Sequence, residues 1–116
     1  MRDEYGGAMS NFKKKIYRSK AYMQFVRESK CVVTGTTPCD PHHALSSYKG
    51  LKQTDLTCIP LSHLKHDELG TTGRNTFAAK NKIYYEREII KSLMKYICKL
   101  EGNNPEEYDW GIRINQ

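Results

Sequence analysis

No apolar run in this chain of 116 residues approaches the roughly 20 residues that span a bilayer. The opening ten residues, MRDEYGGAMS, hold no apolar core of a secretory signal. Membrane and secretory roles are therefore not expected, and a cytoplasmic location is. The four cysteines, Cys31, Cys39, Cys58 and Cys98, are separated by 7, 18 and 39 residues, so there is no CxxC zinc pair. A reducing compartment also argues against structural disulfides. There is no internal repeat and no low-complexity segment, and the length allows one small core but not two. Hydrophobic residues at 38% and charged residues at 28% are those of an ordinary globular domain.

Histidine is equally scarce but not scattered. All four copies, His42, His43, His63 and His66, lie between Cys39 and Gly73 in CDPHHALSSYKGLKQTDLTCIPLSHLKHDELGTTG. Imidazole changes charge near neutral pH and is the commonest metal ligand, so this clustering points to metal chemistry. The net charge of +6 is also uneven. Residues 1–30 carry eight basic and three acidic side chains, whereas the remainder is nearly balanced. The segment KKKIYRSK, from Lys13 to Lys20, is the kind of cluster that phosphate backbones attract. A solvated tail that only aids solubility fits this segment equally well.

Residues 1–18 read as a flexible basic arm and residues 19–116 as one domain. Ser19 is a candidate N-cap for a helix ending near Lys30, with Tyr22, Phe25 and Val26 on its apolar face. Cys31 to Val33 is a strand candidate, followed by a turn-rich loop, a second strand from His42 to Leu45 and a polar loop bending at Gly50. Asp55 to Leu61 reads as extended and stopped by Pro60. Ser62 can cap a helix from His63 to Leu69 closed by Gly70, with His63 and His66 on one face. Asn75 to Asn81 reads as a helical turn. Tyr85 to Leu100 is the longest helix, with Ile89, Ile90, Leu93, Met94, Ile97 and Leu100 as its packing stripe. Gly102 ends it, and a tail with Trp110 is expected to fold back.

Adjacent strand residues point to opposite sides, so His42 and His43 are expected to do different work. One can hold a metal while the other faces a water that must lose its proton.

Several spaced fragments carry a family likeness. They are C-x-x-x-G from Cys31, the P-H-H of Pro41 to His43, T-D-L at Thr54 to Leu56, I-P-L-S-x-x-x-H ending at His66, and T-x-G-R-x-x-F from Thr71 to Phe77. Together they resemble the HNH, or His-Me finger, nucleases, and most closely the phage recombination-associated, Ref-type branch. The resemblance implies an α+β fold: a ββα-metal core with an N-terminal helix and a long C-terminal helix. It implies a phage-encoded DNA endonuclease acting in recombination or replication in the host cytoplasm. DNA is the implied partner, with a recombinase or single-strand-binding protein beside it. By position, His43 matches the general base, and His42 and His66 match the ligands of one divalent ion (Mg2+ or Mn2+ first, Zn2+ or Ni2+ next). Asp55 stands at the central Asn of the motif and would orient the base, while His63 has no required role and is read as phosphate-facing or exposed. Lys13, Lys14, Lys15, Arg18, Lys20, Lys65 and Arg74 are the candidate DNA contacts.

The departures from the pattern matter too. Thr34, Ser62 and Lys65 stand where relatives carry structural zinc ligands, so only Cys31 survives and no structural zinc is expected. An unorthodox set of Cys31, Cys39, Cys58 and His63 is the remaining zinc option. Gly70 replaces a further helical histidine. These losses leave open a DNA-binding module that keeps the fold without cleaving, and beyond it a structural protein with incidental histidines.

Overall fold

The computed structural model describes residues 14–46 and 52–111. Residues 1–13, 47–51 and 112–116 lie outside the described residues, and with them most of the expected basic arm and the expected bend at Gly50. The architecture of the described residues is α+β, with four α-helices and one two-stranded antiparallel sheet. No described helix is long and apolar enough to cross a membrane.

Helix α1 spans Lys20–Glu28. Ser19 caps it as expected, its hydroxyl accepting the Tyr22 amide at 3.0 Å. Tyr22, Phe25 and Val26 bury its apolar face. The Tyr22 hydroxyl donates to the Cys58 carbonyl at 3.0 Å and lies 2.8 Å from the Ser92 hydroxyl, joining α1 to the sheet and to the last helix.

Cys31 to Val33 is a turn, not the expected strand. The Cys31 sulfur accepts the Val33 and Thr34 amides at 3.4 Å, and the Cys31 amide donates to the Thr36 carbonyl, so the chain curls at once. Gly35 closes the curl at φ +74.

The sheet pairs β1, Asp40–His43, with β2, Cys58–Leu61. The first strand thus starts and ends two residues earlier than expected, and a 3-10 turn, Asp55–Thr57, leads into the second. Pro60 sits inside β2 instead of stopping it. The register explains why. Ala44 N–H donates to the Thr57 carbonyl, so hydrogen-bonded pairs recur at His42–Ile59 and Asp40–Leu61. Pro60 then falls opposite Pro41 at a non-hydrogen-bonded pair, where neither missing N–H is needed for the ladder. All four residues of β2 are buried because both faces are covered. Cys58 joins Tyr22, Phe25 and Val26, while Ile59 and Leu61 join Leu69, Phe77, Ile83 and Ile89.

Helix α2, His63–Thr72, runs past Gly70 and is capped instead by Gly73 at φ +90. The Thr71 and Thr72 hydroxyls bond back to the Glu68 carbonyl and carry the last turn through. Helix α3, Arg74–Asn81, is longer than the turn expected and seals the core with the fully buried Phe77. Helix α4, Tyr85–Leu100, matches its expected bounds.

The expected packing stripe of α4 is half wrong. Ile89 is buried and Leu93 packs on the core, but Ile90, Ile97 and Leu100 are 51%, 53% and 67% exposed. The buried face instead uses Tyr85, Glu88, Ile89, Ser92 and Cys98. A polar position can turn inward when a partner meets it, as Ser92 does with Tyr22. Glu88 is the exception among the described residues. Its carboxyl is buried without a hydrogen bond, Lys91 stands 3.5 Å away, and burial pushes its pKa up.

The division of α4 into a packed and an open face has a measurable consequence. Ile89→Ala should cost about 3 kcal/mol, whereas Leu100→Ala should stay within about 0.5 kcal/mol. Denaturant unfolding of both variants checks this, and equal losses would contradict the face assignment.

Candidate active site

The site is built on β1 and the elements packed against its two faces. Strand alternation puts Asp40 and His42 on one side and His43 on the other. The expected divergence of the histidine pair is therefore what the structure has.

On the first side, the His42 ring lies edge-on to the His66 ring of α2, with centroids 5.2 Å apart. Desolvation by burial, with the positive fields of His66, Arg74 and His43, drives the His42 pKa down to about 4. His42 is thus a neutral imidazole at physiological pH, the form that binds metals. Asp40 holds the other ring, its Oδ2 standing 3.2 Å from His66 Nδ1. A carboxylate there keeps the proton on Nδ1 and leaves Nε2 as the donor atom. The same oxygen is 3.1 Å from His63 Nδ1, and these two hydrogen bonds lower the Asp40 pKa.

Asp40 was missed by sequence reasoning. The signal was present: it stands two residues before His42, and period-two alternation puts both on one face. His63 is mostly exposed and sits between Asp40 and Asp67, whose carboxylates raise its pKa.

On the second side, His43 Nε2 is 3.2 Å from Asp55 Oδ1. Asp55 is buried and receives two further bonds, from Arg18 and from the Ser19 amide, both at 2.9 Å. Burial alone would raise its pKa, but the Ser19 amide, Arg18 and His43 together hold it below the ordinary carboxylate value. The sequence reading of Asp55 as an orienting residue thus has a contact behind it. The Tyr17 carbonyl, just before Arg18, accepts the Thr54 hydroxyl at 2.8 Å and the Asp55 amide at 3.3 Å.

The basic candidates separate into two kinds. Lys14, Lys15 and Lys20 are exposed, and Lys13 lies outside the described residues. Arg18 bonds Asp55 and the Gln53 carbonyl, and Lys65 bonds Glu68 and Asn81. Arg74 donates to the Ala44 carbonyl and lies over the Tyr85 ring at 4.0 Å, and its charge is felt at His42.

The positions read as replaced zinc ligands all have protein partners. Burial alone would raise the Cys31 thiol, but the Thr34 hydroxyl and the Thr34, Ser62 and Val33 amides bring it to about 7. Ser62 caps α2 through the Lys65 amide. Cys58 packs in a different cluster from Cys31 and Cys39, and His63 is exposed, so the unorthodox zinc set is not brought together. Among the described residues, no group of three or more His, Cys, Asp and Glu side chains is placed to enclose a metal ion.

A family model described as "Protein of unknown function (DUF968)" matches residues 6–96. The chain belongs to this DUF968 family. The match runs from before α1 into α4 and takes in Asp40, His42, His43, Asp55 and His66. No curated protein and no solved structure matches the chain significantly.

The Asp55 contacts predict an acid limb of stability. Its folded pKa is depressed, so its stabilisation is present above the ordinary carboxylate value and is lost as pH falls through and below it. Asp55→Ala should cost about 3 kcal/mol at neutral pH. The variant should also lose stability less steeply in acid, although Asp40 and Glu68, whose pKa values are lowered too, keep part of the limb. Unfolding at a series of pH values checks this; an unchanged acid slope would contradict it.

Proposed function

We propose that this chain is a metal-dependent DNA endonuclease of the His-Me finger kind. The observation that carries the reading is the division of work across one strand. His42 turns to His66, and the adjacent His43 turns to a buried carboxylate. The chain order β1, β2, α2 is also that of a ββα-metal core.

In this reading Asp55 accepts a hydrogen bond from His43 Nε2–H and fixes the ring's tautomer and direction. The lone pair then lies on Nδ1, which takes the proton of the attacking water. Arg18 and the Ser19 amide keep Asp55 ionised, so the proton stays on the imidazole. His42 and His66 would hold the ion, and the donor set fits: a neutral imidazole, and a second whose Nδ1 is fixed by Asp40. A divalent ion bound there supplies Lewis-acid polarisation of the phosphate and offsets charge on the leaving oxygen. Two imidazoles suit Ni2+ or Zn2+ better than the harder Mg2+ and Mn2+, which would rely more on water and phosphate oxygens. Arg74, whose charge is felt at His42, would serve as a phosphate contact, and the exposed Lys14, Lys15 and Lys20 would add further phosphate contacts.

The scarcity of ligands favours a second reading, a DNA-binding module on the same fold that no longer cleaves. Phage origin and a recombinase or single-strand-binding partner follow from the family resemblance alone.

Plasmid cleavage across a metal titration and a pH series tests the assignment. His42→Ala should lose cleavage that excess metal partly restores. His43→Ala should lose about 10²–10⁴-fold in rate, without rescue by metal, and should lack the rise in rate as pH climbs through the imidazole range. Rescue of His43→Ala alone would reverse the roles. DNA binding without cleavage by the wild type would select the second reading.

A further inference from the structure

The face of α4 that turns away from the core is ordered, not random. Arg87, Ile90, Met94, Ile97 and Glu101 follow at steps of three, four, three and four residues, the last being the helix C-cap. That alternation aligns side chains along one seam of a helix pair and is the spacing by which coiled helices meet. Ile90 and Ile97 are more than half exposed, and Met94 lies between them. Tyr108 and Trp110 of the tail, with Met94 and Ile97, line a shallow apolar hollow along one edge. Exposed aliphatic residues at this spacing on one helix are a contiguous patch, not scattered surface residues.

The ends of the seam carry opposite charges. Arg87 lies in the first turn, its guanidinium over the Tyr84 ring at 4.8 Å, and Glu101 lies at the far end. Such a seam is complementary to itself when reversed. With a two-fold axis beside Met94, Arg87 meets Glu101 of a second copy, Ile90 meets Ile97, and Met94 meets its own equivalent. A parallel pairing would instead set arginine against arginine and glutamate against glutamate. A two-fold interface uses one patch twice, so each complementary pair is formed twice.

We propose that this seam joins two copies of the chain through antiparallel α4 helices. The occupant is a second copy because the pattern's charge complementarity is with itself. The inference is independent of the nuclease reading, since His42, His43 and His66 lie on other elements.

Sedimentation equilibrium of the full chain, from low micromolar concentration upward, tests it, with thermal melts to confirm folding. The wild type should show a concentration-dependent dimer, and Ile97→Glu should remain monomeric. Arg87→Glu and Glu101→Arg should each raise the dimer dissociation constant about tenfold, and the double exchange should return it to within about threefold of wild type. A wild type that stays monomeric throughout would overturn the proposal, as would a dimer indifferent to Ile97→Glu. Failure of the double exchange to restore an affinity that both single exchanges weaken would overturn the antiparallel arrangement.

Discussion

A buried carboxylate must be met by charge or by hydrogen-bond donors, and Asp55 is met from three directions. Arg18 and the Ser19 amide reach it from the entry to α1, and His43 from the end of β1. Asp55 itself opens the 3-10 turn that leads into β2. One side chain therefore ties the start of α1 to the end of β1 and gives His43 its hydrogen-bond partner. Removing it would leave a guanidinium, an amide and an imidazole without their shared acceptor. Stability and site geometry are thus coupled through the same few atoms.

The opposite side of β1 follows a similar rule at lower burial. Asp40 bonds both His63 and His66, so a carboxylate again fixes imidazoles from behind. His42 is the odd one, neutral because it is desolvated among positive neighbours. The four histidines of one hairpin and its following helix therefore have four settings: His42 desolvated, His43 backed by a buried anion, His66 held by the partly exposed Asp40, and His63 exposed between two carboxylates. Their chemical division comes from the alternation of a four-residue strand, and sequence adjacency of His42 and His43 is what permits it.

Much of this was readable from sequence where one residue decides one local outcome. Ser19 and Ser62 start helices because a hydroxyl satisfies amides that the helix leaves open. The opposed directions of His42 and His43 follow from strand period alone. Other features needed partners distant in the chain. Pro60 lies in a strand because it falls at a non-hydrogen-bonded pair, opposite Pro41, and only register shows that. Cys31 starts a turn because its sulfur collects amides, which residue type does not announce. On α4 the hydrophobic residues cover more than one face. Which part packs is decided by Tyr22 and its hydroxyl partner Ser92, from opposite ends of the domain. The role of Asp40 was legible by the same alternation that separates the two histidines.

In the proposed function His42 and His66 hold one ion, apart from the exposed His63. Nuclear magnetic resonance of the histidine side chains during a titration with substoichiometric Mn2+ tests it most directly, because the paramagnetic ion broadens the rings nearest to it. The His42 and His66 signals should vanish first and together, and His42→Ala should abolish the effect on His66. Selective broadening of His63, with His42 untouched, would contradict it by placing the ion on the surface between Asp40 and Asp67.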